Sequence, residues 1–454
     1  MEFNRLVKKY LTYYSVVDRW SIVSSATDGV DTVVVIPALA ESGNLFETLA
    51  TLSRNPEEEL KRTLVICVVN NRDGAHASPA DIADNQKSLT ILKSLIYKEN
   101  LQGEISDCAG HGFLEEIRES LLRLACVDAS SPGCELPERW GGVGLARKIG
   151  CDLALTLFDY DSDSIKLILS LDADTLVEEN YLFAVRNCFE GEGCVASVIS
   201  FAHRYSERSH ERAAIICYEI FLRYYVMGLE YARSEYAFHS IGSTMACTAG
   251  GYASVRGMNR RKAAEDFYFL NKMAKVGSIV KTGTTRVYPS ARVSERVPFG
   301  TGKSVGRFLN GEKEEYLLYD PNLFDVVKSW LFSMSFAGES CAEEILSQAE
   351  EIHPGLEAFL ETQKFREVWP RLVENSGNDD RLRKNFNDWF DGFKTLKLIH
   401  YLTRNGMPPV NMFYALKSLM AARGETIPMN WEGGEIPTIR EQEEILECLR
   451  NLDG

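Results

Sequence analysis

Residues 165–175 read IKLILSLDADT, an almost unbroken apolar run that ends in two carboxylates one residue apart, Asp172 and Asp174. A short run of this kind is a strand buried on both faces, as in a parallel sheet. The two acids at its end admit two readings. Asp-x-Asp starts turns and caps helices, because Asp side chains bond nearby backbone. Equally, hard divalent cations take carboxylate oxygen, and Mg²⁺ meets substrate phosphates through one or two such groups.

The rest of the chain decides between them. Asp31 to Pro37 (DTVVVIP) is a β-branched run followed by NLFETLATL at helical spacing, and Leu64 to Val69 (LVICVV) is a second buried run that ends in Asn70-Asn71. Strands alternating with helices predict a mostly parallel, Rossmann-like α/β sheet, in which ligands bind beyond the carboxyl ends of strands. A long stretch from about 73 to 140 carries mixed helix and loop signals and reads as an insertion. Beyond about residue 309 long amphipathic patterns dominate, as in SCAEEILSQAEEI and EQEEILECLRNL. The expected organisation is an N-terminal helical segment (1–30), an α/β domain (31–308) and an α-helical C-terminal region (309–454).

Composition narrows the function. The 454 residues are 45% hydrophobic and 25% charged, an ordinary globular balance. A net charge of -15 argues against a nucleic-acid partner, which selects a basic face. No apolar run approaches the roughly 18 to 20 residues of a membrane span. The start, MEFNRLVKKYLTYYSVVDRW, is broken by charges, so it reads as a helix packed on the body, with peripheral membrane attachment left open. Eleven cysteines without a Cys-x-x-Cys pair fit reduced thiols and a cytoplasmic location.

Two phosphate-loop patterns fail. FGTGKS at 299–304 has Val297 where the first Gly of a P-loop belongs, and Gly142-Val143-Gly144 has Arg147 where a dinucleotide fingerprint has its third Gly. Four other segments, VVVIPALAESGN, VVNN, GGVGLARKIG with LSLDADT, and TAGGYASVRGMNRRKAAEDF, follow one another in an order that resembles the GT-A glycosyltransferases of the large "family two". The resemblance covers roughly residues 31 to 300. It implies a nucleotide-diphosphate-sugar donor, a divalent cation (Mn²⁺ or Mg²⁺) and a hydroxyl-bearing acceptor, whether small molecule, glycan or lipid-linked.

Residue by residue, the resemblance places Pro37, Ala38 and Glu41 beside the nucleotide. Asn70 and Asn71 stand where the family has acids, so base and ribose contacts become amide hydrogen bonds. Arg147 or Lys148 faces the nucleotide or its diphosphate. Asp174 meets the cation, and Asp172 the cation or the ribose. Gly250-Gly251 let backbone approach the sugar, Asp266 is the general base of an inverting transfer, and Glu265 orients sugar or acceptor. The family's downstream His is missing, and Arg292, Arg296 and Lys303 make that segment locally basic, which reads either as a loop closing over the diphosphate or as a solvated loop. His239 reads as structural. Alternatives are a retaining transferase of the mannosylglycerate-synthase kind, a nucleotidyltransferase, and a non-catalytic nucleotide-sugar-binding module.

Overall fold

The computed structural model describes residues 2–73, 76–99, 111–191, 193–261, 263–292, 301–311, 316–338, 340–428, 433 and 436–453. These form two units. One comprises 1–204 and 240–303, and the other 205–239 and 304–453.

The first unit holds a nine-stranded sheet: β1 (Ile22–Ser24), β2 (Thr32–Ala38), β3 (Thr63–Asn70), β4 (Arg123–Ala129), β5 (Leu167–Ser170), β6 (Leu176–Val177), β7 (Cys194–Phe201), β8 (Met245–Thr248) and β9 (Ser278–Tyr288). Its spatial order is β1-β4-β3-β2-β5-β8-β7-β9-β6. β2, β3, β4, β5, β7 and β9 run one way, while β1, β6 and β8 run against them. The fold is therefore α/β on a mostly parallel sheet. β2 and β3 are buried at every position, which is why they read as unbroken apolar runs.

The connection order reverses between β2 and β5. From β2 the chain moves outward through β3 to β4, then returns to the other side of β2 for β5. Such a switch point opens a crevice at the carboxyl ends of the strands. Pro37 fits this geometry. β5 pairs with β2 only from Thr32 to Val35, and the Leu171 N–H donates to the Val35 carbonyl as β5 departs. Residue 37 points its nitrogen to the same side as residue 35, where no strand remains to need a donor. IPALAE and LDADT thus leave the sheet side by side.

Two parts of this unit were misread from sequence. Residues 73–140 contain the helices Pro79–Tyr97 and His111–Glu119 and also β4, a full member of the sheet whose apolar centre is masked by Arg123 and Asp128 near its ends. Residues 1–30 are not wholly helical, because Ile22–Ser24 forms the edge strand β1. The helix Glu2–Tyr13 packs on the body as expected, with Val7 and Tyr10 buried and Tyr10 edge-on to Tyr252 at 5.6 Å. Cys67 and Cys126 are cross-strand neighbours and remain free thiols. No helix among the described residues is long and apolar enough to cross a membrane.

The second unit is a helical assembly around Trp330, Phe365, Phe386 and Phe390. The helix Ser209–Tyr231 belongs to it by packing, since Ile216, Ile220, Tyr224 and Met227 enter this core. A boundary drawn along the sequence assigns that helix to the sheet instead.

Helix Val143–Leu155 lies close on the sheet because Gly150 has no side chain, and a Cβ there would run into the Val35 methyl groups. Gly150→Ala is expected to cost about 1–3 kcal/mol, the usual penalty for overpacking. Gly43→Ala, with open space around it, is the control. Equal urea midpoints for the two variants would refute this packing constraint.

Candidate active site

Arg147 is the centre of the crevice. It stands one turn into helix Val143–Leu155 and is 3% exposed. Its Nε donates to Ser170 Oγ at 3.0 Å, one guanidinium nitrogen pairs with Asp172 and the other with Glu265. One cation thus ties the end of β5 to the start of helix Glu265–Met273. Two glycines make room for it. A Cβ on Gly144 would meet the carbonyls of Asn259 and Arg261 and Glu265 Cβ, and one on Gly242 would strike the guanidinium.

Glu265 is buried, and Asp266 follows it into the first helical turn, where its Oδ1 accepts the Phe267 N–H at 2.7 Å. Burial raises the Asp266 pKa to about 7. Neighbouring Glu265 adds to the rise and Arg147 opposes it.

A second cluster sits on the other side of Asp172. Arg292 holds Asp174 at 2.9 Å and also pairs with Glu41, whose other oxygen accepts from Asn44 at 3.0 Å. The Asp172–Asp174 turn is fixed from outside, since Thr48 Oγ1 donates to the Ala173 carbonyl and Arg204 to that of Asp174, both at 3.0 Å. Burial raises the Asp174 pKa to about 6. Arg292 works against that shift, while Asp172 and Glu41 reinforce it. Four carboxylates (Glu41, Asp172, Asp174, Glu265) are therefore paired directly to two arginines, with Asp266 beside them.

The structure brings Glu41, Arg147, Asp172, Asp174, Glu265 and Asp266 together, and places other expected site residues elsewhere. Arg147 points at carboxylates, not at an open diphosphate seat. Lys148 is buried against Asp152 at 3.1 Å, with Tyr10 as its other partner, and so secures the N-terminal helix. Asn70 donates to the carbonyls of Ala38 and Val68 at 3.2 and 3.1 Å. Asn71 donates to the Arg72 carbonyl and accepts from Asn85 and Ser130. The Asn70 amide therefore serves the backbone and the Asn71 amide the buried Asn85, which also donates to the Asn70 carbonyl at 3.0 Å and accepts the Ala40 N–H at 2.8 Å. Gly250-Gly251 open the helix Ala249–Ser254, and the space at Gly251 is taken by Met273 and the Val195 carbonyl, protein atoms instead of a ligand. His239 binds Asp453 at 2.8 Å inside the helical unit. Arg296 lies outside the described residues, and Lys303 is half-buried in the helix Thr301–Leu309.

Asp172 and Asp174 offer oxygen donors suited to a hard divalent cation that takes its remaining ligands from phosphate and water. They fit such an ion on condition that Arg292 gives up Asp174. Among the described residues, Asp73, His76 and Glu138 also bring three ligand atoms together. There, however, the imidazole lies between the acids, Nδ1 on Asp73 at 2.7 Å and Nε2 on Glu138 at 3.2 Å. An ion on either ring nitrogen leaves one acid on the far side, so the group is a bridged histidine.

No family model matches the sequence, and no curated protein matches it. Among solved structures, S. aureus TarS 1–349 in complex with UDP-GlcNAc aligns over 80% of this chain and 91% of its own, at 14% identity and a TM-score of 0.35. Mannosyltransferase PcManGT from Pyrobaculum calidifontis, in complex with GDP-Man and Mn²⁺, aligns over 86% and 94%, at 11% identity and a TM-score of 0.34. Likeness at this level carries no argument about the chemistry of the crevice.

Arg147→Met leaves Asp172 and buried Glu265 without their cation, and such a loss costs about 3–5 kcal/mol. Adding Glu265→Gln should recover part of it in urea unfolding, and a single variant as stable as the parent would remove Arg147 from this role. Because a metal ligand must be deprotonated, Mn²⁺ affinity followed by electron paramagnetic resonance should fall as pH drops through about 6, the raised Asp174 pKa. Affinity that stays flat from pH 7.5 to 5 excludes Asp174 as the ligand.

Proposed function

We propose that the protein is a GT-A-type glycosyltransferase that moves a sugar from a nucleotide diphosphate to a hydroxyl acceptor with inversion, Asp266 acting as general base. The observation that carries this reading is the Arg147 bridge. It fixes the Asp172–Asp174 turn and the Glu265-Asp266 helix start on either side of one crevice, at the switch point of the sheet. Transfer with inversion needs a base on one face of the anomeric carbon and charge neutralisation on the other.

Asp266 takes the proton of the acceptor hydroxyl as its oxygen attacks the anomeric carbon, and the bond to the diphosphate breaks. A carboxylate with a pKa near 7 is a better acceptor for that proton than an ordinary Asp and is still half ionised at neutral pH. Glu265, fixed by Arg147, keeps that helix start in place. Asp174 and Asp172 are the residues that would hold a divalent cation, which when bound neutralises charge on the leaving diphosphate. Glu41 and Arg292 border the same turn on the side of IPALAE. The free buried thiols and the lack of a spanning helix among the described residues support a cytoplasmic setting.

Arg292 favours a second form of the same reaction. Since it already neutralises Asp174 at 2.9 Å, a transfer that relies on this guanidinium in place of a metal is consistent with the site. Full activity after exhaustive chelation selects that form.

A thermal-shift screen of UDP-, GDP-, ADP- and dTDP-sugars, with and without Mn²⁺, should find a donor that stabilises the fold by mass action. With that donor, Asp266→Asn should lower transfer by about 10²–10⁴-fold while preserving donor stabilisation, as loss of a general base does. In the parent, kcat should climb with pH through about 7, because the base must be ionised and its raised pKa keeps it protonated below that value. Undiminished transfer by Asp266→Asn refutes the assignment of the base. Proton NMR of the product's anomeric signal separates inversion from retention.

A further inference from the structure

Next to the Glu265-Asp266 helix start lies a patch of arginine that the transfer chemistry above does not use. Arg139 and Arg260, both exposed, place their guanidinium carbons 5.3 and 5.2 Å from the centre of the Trp140 ring, and Trp140 itself is 37% exposed. The Arg72 stem abuts Gly141, where a Cβ would lie 2.9 Å from Arg72 Cγ. Arg261, also exposed, stacks on Tyr268 at 3.7 Å. The backbone of 259–261 is pressed against Gly144 together with Glu265 Cβ, so the patch and the catalytic helix start share one wall.

Arg147, Arg186 and Arg292 each hold carboxylates. Among the described residues Arg72, Arg139, Arg260 and Arg261 hold none, and of the acids in this region Asp73 and Glu138 are engaged by His76, and Glu265 by Arg147. The helix that begins at Val143, directly after this loop, has no side chain capping its N-terminus and adds its partial positive charge. In a chain of net charge -15, two guanidinium groups on the Trp140 ring, with Arg261 next in sequence and the Arg72 stem beside Gly141, make a local positive surface suited to an anion. Arginine suits phosphate and carboxylate because its planar fork binds two oxygens at once. Trp140 and Tyr268 hold three of the four groups by their faces, which lowers the entropy cost of using them.

The geometry points to an anionic acceptor: a hydroxyl compound whose phosphate or carboxylate group is held by Arg72, Arg139, Arg260 and Arg261 while its hydroxyl reaches Asp266. This inference rests on the transferase reading and specifies its acceptor class.

Calorimetric titration of the full chain with glucose 6-phosphate, glucuronate, glucose and inorganic phosphate tests it. At least one of the two sugar acids should bind, glucose should not, and affinity should drop as salt is raised, as screening requires. Arg260→Gln/Arg261→Gln should weaken that binding by about tenfold or more, the scale expected on losing charge-assisted hydrogen bonds. Lys61→Gln, an exposed site 52% accessible at the side chain, should leave it unchanged. Equal binding of glucose and the sugar acids, no binding of either acid, or undiminished binding by the double variant overturns the inference. Inorganic phosphate binding as tightly as glucose 6-phosphate overturns it too, since the seat would then recognise a bare anion and no acceptor. Donor stabilisation is read separately on the unmodified chain, so failure of the transferase reading and failure of the acceptor seat fall in different measurements.

Discussion

The buried guanidinium of Arg147 is the constraint on which the crevice depends. A charge at 3% exposure survives only with partners, and its partners come from two places: Ser170 and Asp172 at the end of β5, and Glu265 at the start of a helix 118 residues beyond Arg147. Gly144 and Gly242 are small because anything larger would displace the backbone or the guanidinium itself. Lys148, the next residue, faces the opposite way and pins the N-terminal helix through Tyr10 and Asp152. One helical turn therefore organises the site on one face and locks the N-terminal segment on the other.

This arrangement leaves a surplus of negative charge. Arg147 serves two acids, Arg292 serves two more, and Asp266 has the backbone N–H of Phe267. Burial is the main cause that raises the pKa of both Asp174 and Asp266, and the neighbouring carboxylates add to it. In the proposed transferase the same crowding of acids would serve both a cation at the Asp172–Asp174 turn and a base at the start of helix Glu265–Met273.

The sheet was legible because its central strands are buried on both faces, so DTVVVIP, LVICVV and IKLILSL stand out as apolar runs. β4 was hidden by its own charged ends, and the helix Ser209–Tyr231 by the assumption that units are continuous in sequence. Within the site, the acids were legible and most of the cations and amides were not. An acid after a strand is visible as a motif, whereas its partner is decided by packing. Arg147 reads as a nucleotide ligand until Gly144 and Gly242 are seen to leave the room in which it pairs with Glu265. Asn70 and Asn71 read as ribose ligands until Asn85, in the middle of a helix whose sequence gives no sign of it, is found between them and the Ala40 N–H.

Among the described residues, two of the six non-glycine residues with left-handed backbone border the site. Ala40 and Ala264 adopt left-handed conformations, φ 51° and 57°, at a cost of about 1–2 kcal/mol each for a residue with a Cβ. Each immediately precedes a glutamate paired to a buried or half-buried arginine, Glu41 with Arg292 and Glu265 with Arg147. Glycine would remove the strain, and its absence indicates that the surrounding bonds, such as Asn85 on the Ala40 N–H, over-determine these turns. A chain relaxed at those two residues would turn Glu41 and Glu265 away from their arginines. The strain is therefore the local cost of aiming both carboxylates inward, on the two sides of the Asp172–Asp174 turn.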